Sequence, residues 1–436
     1  MTLHYEDGGL RLFHGSNKDI LPTFPDASFD SIVTDPPYEL GFMGKGWDSS
    51  GIAYDVEVWR ECFRVLKPGG YMLAFGGTRT WHRIAVAIED AGFEIRDSIA
   101  WMYGSGFPKS VDVSKVIDKA LGAERTKVRV DASQVRNPKA TGGGRDGVKG
   151  ASRPWIEKAL EVGYHEKDSD QAATPEAQAW EGWGTALKPA FEPIIVARKP
   201  LAGTVAANVL AYGTGAINID ACRVGDGSDS QGVRSQHEAS AERRYATTGA
   251  VNLAATPGPR GGSPSGRFPS NVLLDESQAA ALDTQSGYMK DGVAVRRNTL
   301  GNRKSAEGRA TSIGAGMVTQ GPDQTYGSGG GASRFFPTFR YVAKAPGTER
   351  PEVDGVAHAT VKPLDLMRWL VRLVTRRGGH VLDLFAGSGT TGEAALLEGM
   401  ECTLIELEAD HLPLILARVR KPLQTSLFGD WEGGAA

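Results

Sequence analysis

The run Ser31-Ile32-Val33-Thr34-Asp35-Pro36-Pro37-Tyr38 limits the fold more tightly than any other stretch of this 436-residue chain. Its apolar, β-branched start reads as a buried strand. Asp35 then falls at the strand's carboxyl end, and Pro36 and Pro37 stop the ladder because neither can donate a hydrogen bond. Tyr38 is left on the loop beyond. In open α/β sheets ligands bind outside the carboxyl ends of the strands. An aspartate and the proline carbonyls offer acceptors at fixed positions, and the tyrosine offers a flat face. That set suits a planar ring carrying an exocyclic amine. The plain alternative is a strand followed by a rigid turn, with Asp35 as a capping group.

The rest of the chain supplies the sheet. Gly9 to His14 reads as a short strand, and Asn17 to Phe24 as a connection or short helix. Asp55 caps a helix whose apolar positions are Trp59, Cys62, Phe63 and Leu66, ended by Lys67-Pro68-Gly69-Gly70. Tyr71 to Phe75 is the next strand, a helix on Trp81, Ile84, Ala85 and Ile88 stops at Gly92, and Phe93 to Tyr103 is again strand-like. Far downstream, Pro363 opens a helix with one apolar stripe of Leu366, Met367, Leu370, Val371, Leu373 and Val374, closed by Gly378-Gly379. His380 to Phe385 is a strand, residues 386–392 turn into a helix reaching about Glu398, and Cys402 to Glu406 is a further strand before a last helix on Leu412, Ile415, Leu416 and Val419. Strands alternating with amphipathic helices predict a doubly wound, mostly parallel, Rossmann-like α/β sheet.

The middle breaks this pattern. Residues 108–187 are polar, helical near Val113 to Leu121 and loose around Thr141-Gly142-Gly143-Gly144, and read as an insertion that is partly disordered. Phe191 to Arg198 returns to strand character. Residues 201–334 form a second irregular region with short apolar runs at 216–219 and 271–274 and a Gly/Ser-rich stretch at 327–331. Between Arg125 and Lys158, nine basic residues face three acidic ones. Such a surplus could track a phosphate backbone, but charge alone is read more simply as a solvated loop. Another loop, Glu39 to Ser50, is glycine-rich and carries Trp47, which either packs over a substrate or anchors the loop.

Composition narrows the class. A charged fraction of 23% and an apolar fraction of 40% are ordinary for a globular protein, and the net charge is −3. No apolar run approaches membrane-spanning length, and Met1 to Asp7 lacks the basic start and apolar core of a signal peptide. A cytoplasmic setting is expected. Cys62, Cys222 and Cys402 are far apart and read as buried thiols, and the scattered histidines show no metal-ligand spacing.

Glycines after a strand let a ligand approach the backbone, and a following helix offers free N–H groups. Gly387, Gly389 and Gly392 match the dinucleotide spacing, with Glu406 at the next strand end. A nicotinamide dehydrogenase would need several more strands, yet about thirty residues remain past Glu406. It would also leave Asp35 to Tyr38 without a role. A P-loop fails because no lysine follows Gly389. The economical solution is a circularly permuted sheet in which the C-terminal strand pair docks beside the N-terminal strands.

With both motifs in hand, the chain resembles the β (permuted) class of S-adenosylmethionine-dependent DNA amino-methyltransferases. Those enzymes place an Asp-Pro-Pro-Tyr motif early, a target-recognition region in the middle and a Phe-x-Gly-x-Gly motif late. Here Asp35-Pro36-Pro37-Tyr38 and Asp383-Leu384-Phe385-Ala386-Gly387-Ser388-Gly389 stand in that order. His358-Ala359-Thr360-Val361-Lys362-Pro363 resembles an additional cofactor-side motif. The first strand ends in His14-Gly15-Ser16-Asn17, where the family often has Gly-Asp. The resemblance implies that Phe385, Gly387, Ser388, Gly389 and Thr390 contact S-adenosylmethionine, with Glu406 on the ribose hydroxyls and Thr360 and Lys362 near the methionine end. Asp383 is read either as a contact or as a cap of the turn.

The resemblance further implies a base flipped out of double-stranded DNA and stacked on Tyr38, its amine held by Asp35 and the Pro36 carbonyl. Adenine N6 is favoured over cytosine N4 because Asp at the first motif position is commoner in adenine-specific members. A catalytically inactive DNA-binding relative, and a methylase of protein glutamine or RNA amines, stand as alternatives. Homodimerisation and a restriction endonuclease partner are left open. The expected layout is 1–107 as the catalytic half, 108–187 as an insertion, 188–200 as a returning core strand, 201–334 as target recognition, 335–425 as the cofactor half and 426–436 as a tail.

Overall fold

Hydrogen-bonded pairing joins the two ends of the chain. The computed structural model describes residues 2–41, 46–104, 106, 110–131, 158, 161–225, 265–290, 329–339, 351–353, 355–358 and 360–421. Two compact units divide it, one made of residues 1–216 with 340–436 and the other of residues 217–339.

In the first unit, strands β1 (Thr2–Asp7), β2 (Leu10–His14), β3 (Phe29–Thr34), β4 (Leu66–Phe75), β5 (Glu94–Met102), β6 (Phe191–Arg198), β7 (His380–Asp383) and β8 (Glu401–Glu406) share one sheet. Their spatial order is β1-β2-β8-β7-β3-β4-β6-β5. The pairs β2–β8, β8–β7, β7–β3 and β3–β4 are parallel. The β1–β2, β4–β6 and β6–β5 pairs are antiparallel. The C-terminal strands thus occupy the slot between β2 and β3, which is the permuted arrangement expected from the motif order. β1 has no counterpart in the expected layout. Its alternation is almost wholly exposed, so it carries little apolar signal.

The helices follow from amphipathic patterning. α1 (Val56–Val65), capped by Asp55, and α2 (Trp81–Asp90) bury Trp59, Cys62, Ile84 and Ile88. With Phe29, Ile32, Met72 and Leu382 these form a dry core. α3 (Leu364–Val374), α4 (Thr390–Leu397) and α5 (Leu412–Val419) complete the C-terminal part of the unit. Two boundaries differ from expectation. Leu66 is extended and begins β4 instead of ending α1. α3 stops at Val374, because Thr375 is extended and its Oγ1 lies 2.6 Å from Ser31 Oγ on β3. All three cysteines are buried.

In the insertion, the helix Val113–Ala120 appears as expected, and Lys127–Asp131 pairs with Tyr164–Asp168 as a hairpin. The basic run does not form a free anion-binding stripe where it is described. Arg125 is 8% exposed and bonds Asp118 at 2.7 Å. Lys127 pairs with Asp168 and Arg129 with Glu166. Arg136, Lys139, Arg145, Lys149 and Arg153, the loop at 141–144 and the tail 426–436 lie outside the described residues.

The second unit contains the parallel pair Val272–Asp275 with Thr338–Phe339, and the helix Glu276–Ser286 capped by Asp275. Asp283 of that helix accepts from the backbone N–H and hydroxyl of Ser333, both at 2.8 Å. Of the short apolar runs, 271–274 becomes strand and 216–219 stays irregular.

Two side-chain devices fix the β3–β7 contact. At the amino end Asp30 accepts from His380 N at 2.9 Å and from Lys67 at 2.9 Å. At the carboxyl end Asp383 accepts from Thr34 Oγ1 at 2.7 Å, Thr391 Oγ1 at 2.6 Å and Phe385 N at 3.1 Å. Burial pushes the Asp383 carboxyl up to about 6, although those three donors pull it down. Folding therefore takes up a proton here between about pH 4 and 6. The stabilisation is complete below about pH 4 and lost as pH rises through about 6, on the order of 3 kcal/mol in all. Asp383→Asn should flatten the fall of the melting temperature over that window relative to the parent chain. An identical pH slope in both proteins would show that another group titrates. Gly392 on α4 lies so close to the sheet that a Cβ would stand 2.8 Å from Leu404 Cδ1 and 3.1 Å from Leu10 Cδ1. Gly392→Val should cost on the order of 1–3 kcal/mol by overpacking, read as a lower denaturation midpoint.

Candidate active site

The parallel strands β3, β7 and β8 all release their chains at one edge of the sheet, and a cavity of about 510 Å³ opens there. Its walls include Asp35, Pro36, Pro37 and Tyr38 after β3, the turn from Asp383 to Ser388 after β7, Glu406 after β8, and Thr360 and Lys362 before α3. Every site residue expected from the sequence lines this cavity except Gly389, which stands between the lining residues Ser388 and Thr390 as the left-handed cap of α4, with φ of 78°.

The glycine turn is built by hydrogen bonds and close approach. Gly387 has φ of 54°, and a Cβ there would stand 3.1 Å from His358 Nε2. Its N–H donates to Glu406 Oε2 at 2.7 Å. Glu406 Oε1 accepts from Glu408 N at 2.9 Å and His411 Nδ1 at 3.2 Å. Glu406 is thus held rigidly, with Oε2 carrying a single donor. Ser388 and Thr390 are buried, their hydroxyls 3.2 Å apart. The Ser388 carbonyl accepts from the buried Arg418 at 3.0 Å. His358 packs edge-on against His411, with ring centroids 4.6 Å apart. Burial first, and then the neighbouring His411, push His358 down to about 4, so it is neutral at pH 7. Ser16 and Asn17, in the place of the family's acidic residue, also line the cavity, and Ser16 caps the short helix Asn17–Ile20. Asp383 lines the cavity while both its oxygens serve the turn, which favours the capping reading.

Lining the same cavity is a half-buried ionic cluster of Asp35, Tyr38, Glu192 and Lys362 that the sequence did not disclose. Lys362 Nζ lies 2.8 Å from Asp35 Oδ2 and 3.2 Å from Glu192 Oε2, and donates to Tyr38 Oη at 3.0 Å. Tyr38 in turn donates to Glu192 Oε2 at 3.1 Å. Burial opposes the Lys362 charge, but the carboxylates of Asp35 and Glu192 outweigh it and hold the ammonium's pKa above its ordinary value. Burial, then the charges of Asp35 and Glu192, raise the Tyr38 phenol well above its usual range. Lys362 therefore sits with the Asp35 motif, and its ammonium makes no hydrogen bond to the glycine turn. Asp35 Oδ1 is buried and has no hydrogen-bond partner. Such an acceptor costs free energy unless something donates to it.

Glu192 reaches the cluster because β6 runs antiparallel to β4, with Ile194 opposite Phe75. Its amino end therefore meets the carboxyl ends of the parallel strands. The expected strand at 191–198 contained this information, but the partner and direction of pairing were not readable. Other supports of the site are tertiary as well. Thr80 Oγ1 donates to the Tyr38 carbonyl at 2.8 Å, and a Cβ at Gly77 would stand 3.2 Å from Tyr38 Cβ. Glu39 takes a left-handed φ of 54°. Its carboxylate receives Gly51 N at 2.8 Å, while Asp48 Oδ1 receives Glu39 N at 3.0 Å. These two acids shape the loop wall. The Trp47 side chain lies outside the described residues.

The donor set suits a cationic, nucleoside-bearing group. Asp35, Asp48, Glu192, Asp383, Glu406 and Glu408 line the cavity against the single lysine Lys362, and Phe385 gives an aromatic wall. Among the described residues no cluster of metal-ligating side chains occurs, and no helix is long and apolar enough to cross a membrane.

Comparison with known proteins agrees with this geometry. A family model described as N6_N4_Mtase, DNA methylase, matches residues 29–417. The type II methyltransferase M.HpaI of Haemophilus parainfluenzae is 28% identical over 167 residues, 36% of this chain and 53% of that protein. M.HindIII of Haemophilus influenzae is 27% identical over 167 residues, 37% of this chain and 38% of that protein. The chain thus spans about half or less of the length of these curated relatives. Among solved structures, the M1.HpyAVI–SAM complex aligns with a TM-score of 0.38 at 14% identity, covering 94% of this chain and 100% of that one. The cytosine-N4-specific PvuII DNA methyltransferase aligns with a TM-score of 0.40 at 11% identity, covering 98% and 92%. Since the family model runs from β3 into α5, across nearly the whole chain, this protein belongs to the N6_N4_Mtase family of DNA methylases.

Proposed function

We propose that this chain is a β-class DNA methyltransferase acting on the exocyclic N6 amine of adenine in duplex DNA. The observation that carries the reading is Asp35 Oδ1, a buried acceptor without a partner on the wall of the cavity whose other side is the glycine turn. When bound, S-adenosylmethionine supplies an electrophilic methyl group on a sulfonium. Phe385 and Glu406 hold the adenosine part, with Glu406 Oε2 free to accept a ribose hydroxyl. Gly387 lets the donor approach the backbone. The acidic lining favours a cation in the cavity.

The target base leaves its stack at a cost of a few kcal/mol and lies against Tyr38. Asp35 Oδ1 and the Pro36 carbonyl accept the two amine hydrogens, which localises the lone pair on nitrogen and aims it at the donor. Positioning and electrostatics carry the rate, with no covalent enzyme intermediate. The buried Cys62 thiol, pushed well above its ordinary value by burial, is no nucleophile. Aspartate at position 35 supports adenine through the family tendency, and the motif order supports the permuted class. We assign target recognition to residues 201–334.

Asp35→Ala should reduce methyl transfer at least about 10³-fold while S-adenosylmethionine binding changes less than about threefold. Calorimetry with the donor and tritiated methyl transfer to genomic DNA separate the two effects. Nucleoside mass spectrometry of DNA from cells expressing the parent chain should show N6-methyladenine. Finding 4-methylcytosine in its place would reassign the base, and finding neither would end the reading.

A further inference from the structure

The ammonium of Lys362 lies 2.8 Å from Asp35 Oδ2 and 3.2 Å from Glu192 Oε2 and donates to Tyr38 Oη at 3.0 Å, all within the base side of the cavity. Its side chain is 11% exposed, and its Nζ lies 4.8 Å from the centroid of the Phe75 ring on β4. We propose that Lys362, with Glu192 as its second anchor, is a positioning residue of methyl transfer that ties down one oxygen of Asp35 so that the other is presented to the target amine. The inference rests on the reading of Asp35 as the amine's acceptor, and it takes Lys362 out of the cofactor's methionine end.

Three physical arguments converge on it. The terminal torsion of an aspartate is broad, so an untethered carboxylate samples many orientations. Binding Oδ2 at 2.8 Å selects one of them, and the remaining oxygen is the buried, unpartnered Oδ1. Next, Asp35 and Glu192 both reach the same ammonium, so they crowd one site. The ammonium between them offsets the repulsion of two like charges, which would otherwise drive the carboxylates apart and turn Asp35 out of position. Finally, the same ammonium and Glu192 Oε2 both hold Tyr38 Oη, which sets the ring against which the base would stack. One cation thus aligns the acceptor and the stacking face together. Holding such a constellation within a fraction of an ångström is where much catalytic rate originates.

The test uses the full chain and the variants Lys362→Met, Lys362→Arg and Glu192→Gln. It reads the single-turnover rate of tritiated methyl transfer to genomic DNA at saturating donor, together with the Kd for S-adenosylmethionine. Lys362→Met keeps the length of the side chain and removes its charge. It should slow transfer by about 10²–10³-fold and move the donor Kd by less than about threefold. Lys362→Arg, whose fork can still bridge two carboxylates, should recover at least about tenfold of that loss. Glu192→Gln should slow transfer by about tenfold. A Lys362→Met protein that transfers at the parent rate overturns the inference. So does one whose donor Kd weakens more than about tenfold while its saturated rate is normal, since that places Lys362 on the cofactor. Should Lys362→Met fail to fold, parent-like rates in both Lys362→Arg and Glu192→Gln overturn it equally. A parent chain that leaves no methyl group on DNA ends the methyltransferase reading itself, and this inference with it.

Discussion

The site exists because β7 pairs with β3. That ladder is short, with Val381 opposite Ser31 and Leu382 opposite Ile32. Backbone pairing over so few residues is weak on its own, and side chains lock it at both ends. Asp30 grips the N–H of His380, and Asp383 gathers hydroxyls from Thr34 and Thr391. Between them the Ser31 and Thr375 hydroxyls touch at 2.6 Å. Register matters here because a slip by one residue would turn Asp383 to the opposite face of the sheet. The carboxyl ends of β3 and β7 then finish side by side. A motif at position 35 and another at position 387 become two walls of one cavity.

Much of this was legible from residue patterns. Parallel strands are buried on both faces, and the apolar cores Ile32-Val33 of β3 and Leu404-Ile405 of β8 mark strands that are buried almost throughout. The helices declared themselves by period and caps, as with Asp55 before Val56 and the stripe from Leu366 to Val374. Motif order carried the permutation, since residues 383–389 serve a sheet begun hundreds of positions earlier. β1 stayed hidden because its residues face solvent on both sides and leave no hydrophobic period. α3 ends ahead of the Gly378-Gly379 pair because its stop is a tertiary contact of Thr375, which leaves no mark in the local sequence. Arg125 counted as surface charge in the sequence, while its partner Asp118 buries it.

The candidate site was legible in its motifs and opaque in its supports. Asp35, Tyr38, Phe385, Gly387 and Glu406 are recognisable because local spacing defines them. Glu192 is a single acid at the start of an unremarkable strand. Only the antiparallel pairing of β6 carries it to the cavity edge. Lys362 was visible, but its partners Asp35, Glu192 and Tyr38 were not. A lysine two residues before α3 gives no hint of which wall its long side chain will reach. Long-range ion pairs are set by the fold, and sequence spacing holds no record of them.

The electrostatic balance of the cavity points the same way as its geometry. A half-buried cluster of Asp35, Glu192 and Lys362 is a weak way to stabilise a fold, since taking charges out of water costs much of what their attraction returns. Its retention is more easily understood through what it holds in place. One ammonium stands among the acidic groups that line the cavity, so the lining keeps a negative excess. A purely structural cluster would more naturally neutralise itself and leave no buried acceptor empty. Here Oδ1 of Asp35 is left open while Oδ2 is fixed. That asymmetry within a single carboxylate is what an incoming amine requires, and a cation bound nearby would find the charge it needs already in position.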